Sequence, residues 1–248
     1  MRWNVGAKVN MQGFISKGTY FGKDGLGGQQ EKYEMLLSPE DWGLIQEESA
    51  FEFIAKSAKK YKQELGIICT GPLTNIAISW LLHNEIPNII GGITVVGGSF
   101  SAVGVNTAFC TEFNFNADAD AAALVLKWFK TITLVPIELA FEAPREEHNF
   151  PDFFTNETTL KGRFIKDIFQ SIQHLVFDPV AAFAVFMPET VKGIYRLYGE
   201  VSREGPRTKG FLSLDWLRSK EHNEPNLQII NDMDWKVVAE NILQSLNN

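Results

Sequence analysis

The sequence predicts an α/β protein with a mostly parallel open sheet and helices on both faces. Three short apolar runs, each followed by glycine or proline, lie at residues 65–70, 93–96 and 131–135. Segments with apolar residues at helical spacing separate these runs. This β-α-β-α-β alternation is typical of parallel strands that are joined by right-handed helical crossovers.

The amino-terminal part begins without clear periodicity and then becomes helical. Residues 1–30 are rich in glycine and predict an irregular loop. The sequence S-P-E-D-W predicts a helix start, with Ser38 as the cap and Pro39 at the first helical position. Over residues 47–64, apolar residues recur every three or four positions, which predicts a helix with one apolar face.

The remaining elements follow from the same criteria. The predicted helices cover residues 74–82, 118–129, 163–175 and 234–246, and the predicted strands cover residues 210–214 and 226–230. Asp178 precedes a proline and predicts a further helix start, because this pair is an ordinary capping arrangement. No repeat, low-complexity segment or linker divides the chain, so the sequence predicts a single domain over residues 1–248.

The composition excludes several classes of protein. Hydrophobic residues make up 45% of the chain and charged residues 21%, as in ordinary globular domains. A net charge of -7 argues against nucleic acid as a partner. No apolar stretch is long enough for a membrane span, and M-R-W-N-V-G lacks the apolar core of a signal peptide. Cys69 and Cys110 form no pairing motif, so we expect a reducing, cytoplasmic location.

A polar loop at residues 106–114, N-T-A-F-C-T-E-F-N, follows the strand-like run that ends in V-V-G-G. It brings together Asn106, Glu112 and Asn114, whose side chains can satisfy the vicinal hydroxyls of a sugar. The alternative is that these residues cap turns and a helix start. Because ligands of open α/β sheets bind at the carboxyl ends of the strands, we expect this loop to line that crevice.

Four motifs together resemble the inosine-uridine preferring nucleoside hydrolase family. They are K-D-G-L-G-G at residues 23–28, T-G-P-L-T-N-I-A at residues 70–77, the N-x5-E-F-N loop, and D-P-V-A-A at residues 178–182. Their order and spacing match the family, and the resemblance covers essentially the whole chain. It implies hydrolysis of the N-glycosidic bond of ribonucleosides to ribose and free base.

The resemblance also implies roles for particular residues. The family holds one calcium ion, and the main-chain carbonyl of Thr70 and the carboxylate of Asp178 would be two of its ligands. Asn106, Glu112 and Asn114 would hold the ribose hydroxyls. Asp178 thus has two interpretations, helix cap and metal ligand, and one residue can be both. A homodimer or homotetramer is the oligomeric state that the resemblance implies.

The sequence departs from the family at the acidic motif. Family members begin with a strand of the form D-x-D-x-x-x-D-D, which supplies the other calcium carboxylates and the general base. This chain contains no such motif, so it is expected to be N-terminally incomplete, to lack the family's first strand and to bind calcium less tightly. Removal of that strand would leave two neighbouring strands unpaired. Because the general base of the family lies in the missing motif, no catalytic residue is assigned in this chain.

Other departures concern the leaving base and the type of family member. Phe21 and Phe177 stand where family members carry His, so no His is assigned to protonate the base. The run Y-F-G-K-D-G at residues 20–25 resembles related animal sequences. Two hypotheses follow. The chain is either a nucleoside hydrolase represented by an incomplete sequence, or a non-catalytic family member that binds ribosides or forms oligomers.

Overall fold

The computed structural model describes residues 3–13, 22–34, 43–104, 110–130, 132–142, 159–171, 178–218 and 224–247. The strands are β1 (Trp3–Val5), β2 (Ile45–Ser49), β3 (Gly66–Cys69), β4 (Gly92–Val96), β5 (Ile132–Val135), β6 (Val191–Leu197), β7 (Gly199–Val201), β8 (Leu212–Leu214) and β9 (Leu227–Met233). The helices are α1 (Gln30–Glu34), α2 (Ala50–Tyr61), α3 (Thr74–Leu82), α4 (Ile86–Ile89), α5 (Phe113–Ala117), α6 (Ala119–Trp128), α7 (Glu138–Glu142), α8 (Leu160–Ser171), α9 (Asp178–Phe186) and α10 (Trp235–Asn247). None of the helices in these ranges is long and apolar enough to cross a membrane.

The central sheet has five strands in the order β3-β4-β5-β9-β6. Strands β3, β4, β5 and β9 run parallel, and β6 is antiparallel to β9. Four of the five residues of β4 are buried, because helices cover both sides of this part of the sheet. The predicted α/β class and the three predicted apolar strands are therefore confirmed.

Two smaller sheets accompany the central one. Strand β1 pairs in parallel with β2, and β7 forms an antiparallel pair with β8. Strand β3 lies at the edge of the central sheet as far as the described strands extend. The prediction that a family strand is missing from the sheet stays a prediction.

Helices pack on both faces of the sheet around two apolar clusters. The larger cluster contains residues of α2, α3 and α6, including the fully buried Ala58, Ala77 and Ala121. The second cluster joins α7, α9 and α10 to the other face, where Leu139 and Val180 are fully buried. Small alanine side chains let the helices of the first cluster lie close to the strands. Helices thus bury both faces of the sheet.

Several predicted boundaries were wrong. The helix predicted over residues 47–64 begins at Ala50, because Ile45–Ser49 pairs as β2 with β1. Ser49 then caps the helix by accepting a hydrogen bond from the Glu52 amide at 3.4 Å. The predicted irregular loop at residues 1–30 contains β1. The helix start predicted at Ser38 lies outside the described residues.

The amino-terminal segment is tied to helix starts by two polar side chains, those of Asn75 and Asp118. The Ala7 amide donates to Asn75 Oδ1 at 2.9 Å, and the Met11 amide donates to Asp118 Oδ2 at 2.9 Å. Thr74 Oγ1 donates to the same Asp118 oxygen at 2.6 Å. Asp118 therefore joins three segments that are distant in the sequence, and it fixes the start of α3 beside the start of α6.

Candidate active site

The site lies at the carboxyl edge of the parallel strands, where the connections after β3, β4 and β5 meet. The connections after β4 and β5 are bonded to each other through the backbone. The Gly97 amide donates to the Val135 carbonyl at 3.0 Å, and the Ile137 amide donates to the Gly98 carbonyl at 3.0 Å. Gly98 has a φ of +73°, a conformation that glycine adopts readily. This turn sends the chain across the end of β5.

Glu112 is the buried acid of the site and the cap of α5. Its Oε1 accepts from the Asn114 amide at 2.8 Å, and its Oε2 accepts from the amides of Phe115 and Gly98, each at 3.1 Å. Only 6% of the residue is exposed. Burial raises the pKa of Glu112 to about 7, although these amide hydrogen bonds act in the opposite direction. The capping interpretation of Glu112 is therefore confirmed, and its contact with a sugar stays a prediction.

Asn114 bridges the ends of two neighbouring strands. Its Nδ2 donates to the carbonyl of Val96 at 3.0 Å and lies 3.5 Å from the carbonyl of Thr70. Its Oδ1 accepts no hydrogen bond from the residues described above. The amide therefore points its donor group at the strands, and its acceptor oxygen is spare as far as the described residues show. A hydroxyl of a bound sugar could donate to that oxygen.

Asp178 is brought to the same edge by the packing of α9. It is the first residue of that helix, and Val180 and Ala181 pack in one cluster with Val96 and Val135, the last residues of β4 and β5. The Asp178 side chain is exposed overall, but nearby atoms partly desolvate it and raise its pKa. It makes no hydrogen bond with the described part of the chain. The predicted helix start at Asp178 is confirmed.

The oxygens of Thr70 and Asp178 fit a calcium ion in kind, since both are hard ligands and neither has a strong competing partner among the described residues. Calcium takes about six to eight such oxygens. Over the described ranges, no group of three or more His, Cys, Asp or Glu side chains could hold a metal ion. The described residues therefore offer only part of a calcium shell.

The structure thus brings together some of the predicted site residues. Thr70, Glu112 and Asn114 are connected by hydrogen bonds, and Asp178 begins a helix packed against the same strand ends. Asn106 lies outside the described residues. The same holds for Phe21 and Phe177.

A second buried acid, Glu138, lies at this edge and was not predicted from the sequence. Glu138, the first residue of α7, is 6% exposed and accepts hydrogen bonds from Ser99 and Ser101 in the connection after β4. A signal was present, because Glu138 follows the buried strand β5 by only three residues. Acids at that position of a parallel strand lie at the ligand-binding edge of the sheet.

Comparison with known proteins identifies the family. The chain belongs to the inosine-uridine preferring nucleoside hydrolase family, whose model matches residues 5–240. It is thus a member of the nucleoside hydrolase class of enzymes, and the predicted family resemblance is confirmed. The match extends over the sheet, both apolar clusters and the site.

Individual relatives are distant. RihA of Salmonella typhi, a pyrimidine-specific ribonucleoside hydrolase, is 25% identical over 238 residues, which are 92% of this chain and 73% of RihA. A probable uridine nucleosidase of Arabidopsis thaliana is 34% identical over 121 residues, 49% of this chain and 35% of that protein.

Solved structures share the fold. A purine-preferring ribonucleoside hydrolase from Gardnerella vaginalis superposes with a TM-score of 0.81 and 22% identity, covering 100% of this chain and 80% of that one. An inosine-guanosine nucleoside hydrolase gives a TM-score of 0.83 and 21% identity, covering 99% of this chain and 81% of that one. At this identity the similarity shows the fold alone.

Proposed function

We propose that this protein hydrolyses the N-glycosidic bond of ribonucleosides and releases ribose and the free base. The observation that carries the proposal is the Glu112–Asn114 arrangement at the carboxyl edge of the sheet, in a member of the nucleoside hydrolase family. Water adds to the sugar carbon, and the bond to the base nitrogen breaks. The base leaves with the bonding electrons and takes up a proton.

The ribose is bound by Asn106, Glu112 and Asn114 in this proposal. The spare Oδ1 of Asn114 accepts a hydrogen bond from a sugar hydroxyl. Glu112 accepts from the Asn114 amide at 2.8 Å and so fixes the position of Asn114, and in this proposal its carboxylate also accepts from a second hydroxyl. A site with such committed polar groups rejects a sugar that lacks the hydroxyl, because those groups would lose their partner.

A calcium ion would be held by the Thr70 carbonyl and the Asp178 carboxylate, with further oxygen ligands from outside the described residues. When bound, calcium supplies Lewis acidity that favours the attack of water on the sugar. As far as the described residues extend, Thr70 and Asp178 can both serve without giving up a strong internal hydrogen bond. No general base or general acid is assigned among the described residues.

We also propose a single domain over residues 1–248 that works as a cytoplasmic homodimer or homotetramer. The two apolar clusters share one sheet, which supports one domain. Both cysteines are free thiols, as is usual for proteins of a reducing compartment. Burial raises the pKa of Cys69 to about 12, so its thiol is unreactive.

The test is release of free base and ribose from a panel of purine and pyrimidine ribonucleosides, with calcium or with a chelator. It is run on this chain and on a protein that carries the D-x-D-x-x-x-D-D motif ahead of it. We expect calcium-dependent release of base and ribose in equal amounts. Riboside binding without release by either protein would favour a non-catalytic binding protein. If neither protein binds or cleaves any of the ribonucleosides, the proposal is overturned.

A further inference from the structure

One carboxylate oxygen of Glu138 accepts three hydrogen bonds from the connection after β4. Its Oε1 accepts from Ser99 Oγ at 2.6 Å, from the Ser101 amide at 2.8 Å and from Ser101 Oγ at 2.6 Å. Ser99 Oγ in turn accepts from the Val103 amide at 2.9 Å. A single buried acid therefore orders the backbone of this connection as far as Val103.

The second oxygen of Glu138 has no donor among the residues that the structure describes. Oε2 is buried and accepts no hydrogen bond in the described part of the protein. A buried acceptor without a donor is costly, and such groups in native proteins call for an explanation other than stability. An apolar residue here would avoid this cost, but it would release the three donors that Oε1 receives.

Glu138 also lies between two parts of the site. The next residue, Leu139, is fully buried in the cluster that contains Val96, Val180 and Ala181, and so packs with the helix that begins at Asp178. On the other side, the connection after β4 is held at Gly98 by Glu112. This connection is thus bound by two buried acids, one from α5 and one from α7.

We propose that Glu138 is a positioning residue that sets residues 97–104 across the carboxyl edge and so fixes the geometry of the riboside site. This inference rests on the proposed function. Glu138 acts through Ser99 and Ser101 and does not touch the substrate itself. A displacement of the connection would move Gly98, whose amide donates to Glu112 at the site. Small displacements of groups in a catalytic site lower rates steeply.

The first test measures hydrogen exchange of single amides and needs no activity. In Glu138→Ala, the amides of Ser101 and Val103 should exchange at least about tenfold faster, while the core amides of α6 keep their rates. In Ser99→Ala, only the Val103 amide should lose protection. Glu138→Gln should keep both amides protected, because its amide oxygen can accept the same donors. Ser213→Ala, an exposed serine on β8, is the matched control.

The second test measures riboside hydrolysis by the same variants under conditions where each is folded. Glu138→Ala should lower kcat/KM on the order of 10- to 100-fold, and Glu138→Gln should recover most of it. Unchanged exchange at Ser101 and Val103 in Glu138→Ala, or equal loss of protection across the whole sheet, would overturn the inference. So would an unchanged kcat/KM in an active protein. If the unaltered protein neither binds nor cleaves ribosides, the proposed function fails, and the exchange pattern still decides whether Glu138 orders the connection.

Discussion

Two buried acids begin consecutive helices and serve different parts of the molecule. Asp118 caps α6 and accepts from Met11, Thr74 and Ala121, which belong to three distant segments. Glu112 caps α5 and accepts from its own helix start and from Gly98 at the site. Both carboxylates accept hydrogen bonds at a helix start. Asp118 thereby holds the scaffold together, and Glu112 holds the site. Changes at Asp118 should affect stability, whereas changes at Glu112 should affect both riboside binding and the pH dependence of stability.

The largest expected effect is on the scaffold. Asp118→Ala leaves three donors without their acceptor, so the free energy of unfolding should fall by about 4 kcal/mol. Urea denaturation measures this loss. Asp120→Ala is the matched control, because this partly exposed acid accepts from Gln12 and pairs only loosely with Arg203. Its loss should stay below about 1 kcal/mol. A loss at Asp118 as small as that of the control would erase the contrast between the two acids.

Glu112 should give stability an unusual dependence on pH. Its folded pKa of about 7 lies above its ordinary value of 4.5, so the folded state binds a proton that the unfolded state has released between these pH values. This contribution is fully present below pH 4.5 and is lost as the pH rises through 7. Relative to Glu112→Gln, the unaltered protein should lose about 3 kcal/mol over this window.

Denaturation of both proteins at several pH values tests the effect. The difference between them cancels the titration of the other acids. A difference that stays constant with pH, or one that grows as the pH rises, would mean that burial does not dominate the titration of Glu112.

A smaller effect on stability is expected when a side chain is added at Gly97, next to Glu112 and Phe115. A β-carbon at Gly97 would lie 2.6 Å from Cε1 of Phe115, whose ring is fully buried. Gly97→Ala should therefore destabilise the protein by about 1–3 kcal/mol. Thermal and chemical unfolding measure the loss. Gly66→Ala is a suitable control, because a β-carbon there meets no atom within 4 Å. Equal stability of the two variants would show that Phe115 can yield.

The smallest expected effect on folding is at Asn114. Asn114→Ala removes the hydrogen bond to the Val96 carbonyl, the longer one to the Thr70 carbonyl and the acceptor oxygen, so stability should fall by only about 1 kcal/mol. Riboside affinity should fall about tenfold, since one ligand hydrogen bond is lost. Calorimetric titration and urea denaturation of the same sample separate the two quantities. Full riboside affinity in a folded Asn114→Ala would remove this residue from the site.

Whether a strand could be predicted from the sequence depended on its place in the sheet. Strands β4 and β5 were predictable because burial on both faces requires an apolar run. Strand β6 was missed because it lies at an antiparallel edge, where Ile194 and Tyr195 are partly exposed and mixed with charged residues. Whether a strand lies at the edge depends on its neighbours in space, which a local pattern does not contain.

The residues of the site could be predicted from the sequence only in part. The polar loop drew attention to Glu112 and Asn114 because three groups suited to a sugar fall within nine residues. One of the hydrogen bonds that hold the Glu112 carboxylate comes from the Gly98 amide, 14 residues away. The role of Glu138 depends on serines 37 and 39 residues away. Contacts of this kind arise only when the sheet brings separate strand ends together.

The most direct test of the central claim, that the carboxyl edge with Glu112 and Asn114 binds the ribose, is a calorimetric titration with a ribonucleoside and calcium. The unaltered chain, Asn114→Ala and the scaffold control Asp120→Ala are compared at one pH. We predict binding by the unaltered chain and the control, and at least about tenfold weaker binding by Asn114→Ala. Equal affinity of all three proteins, or no binding by the unaltered chain, would contradict the claim.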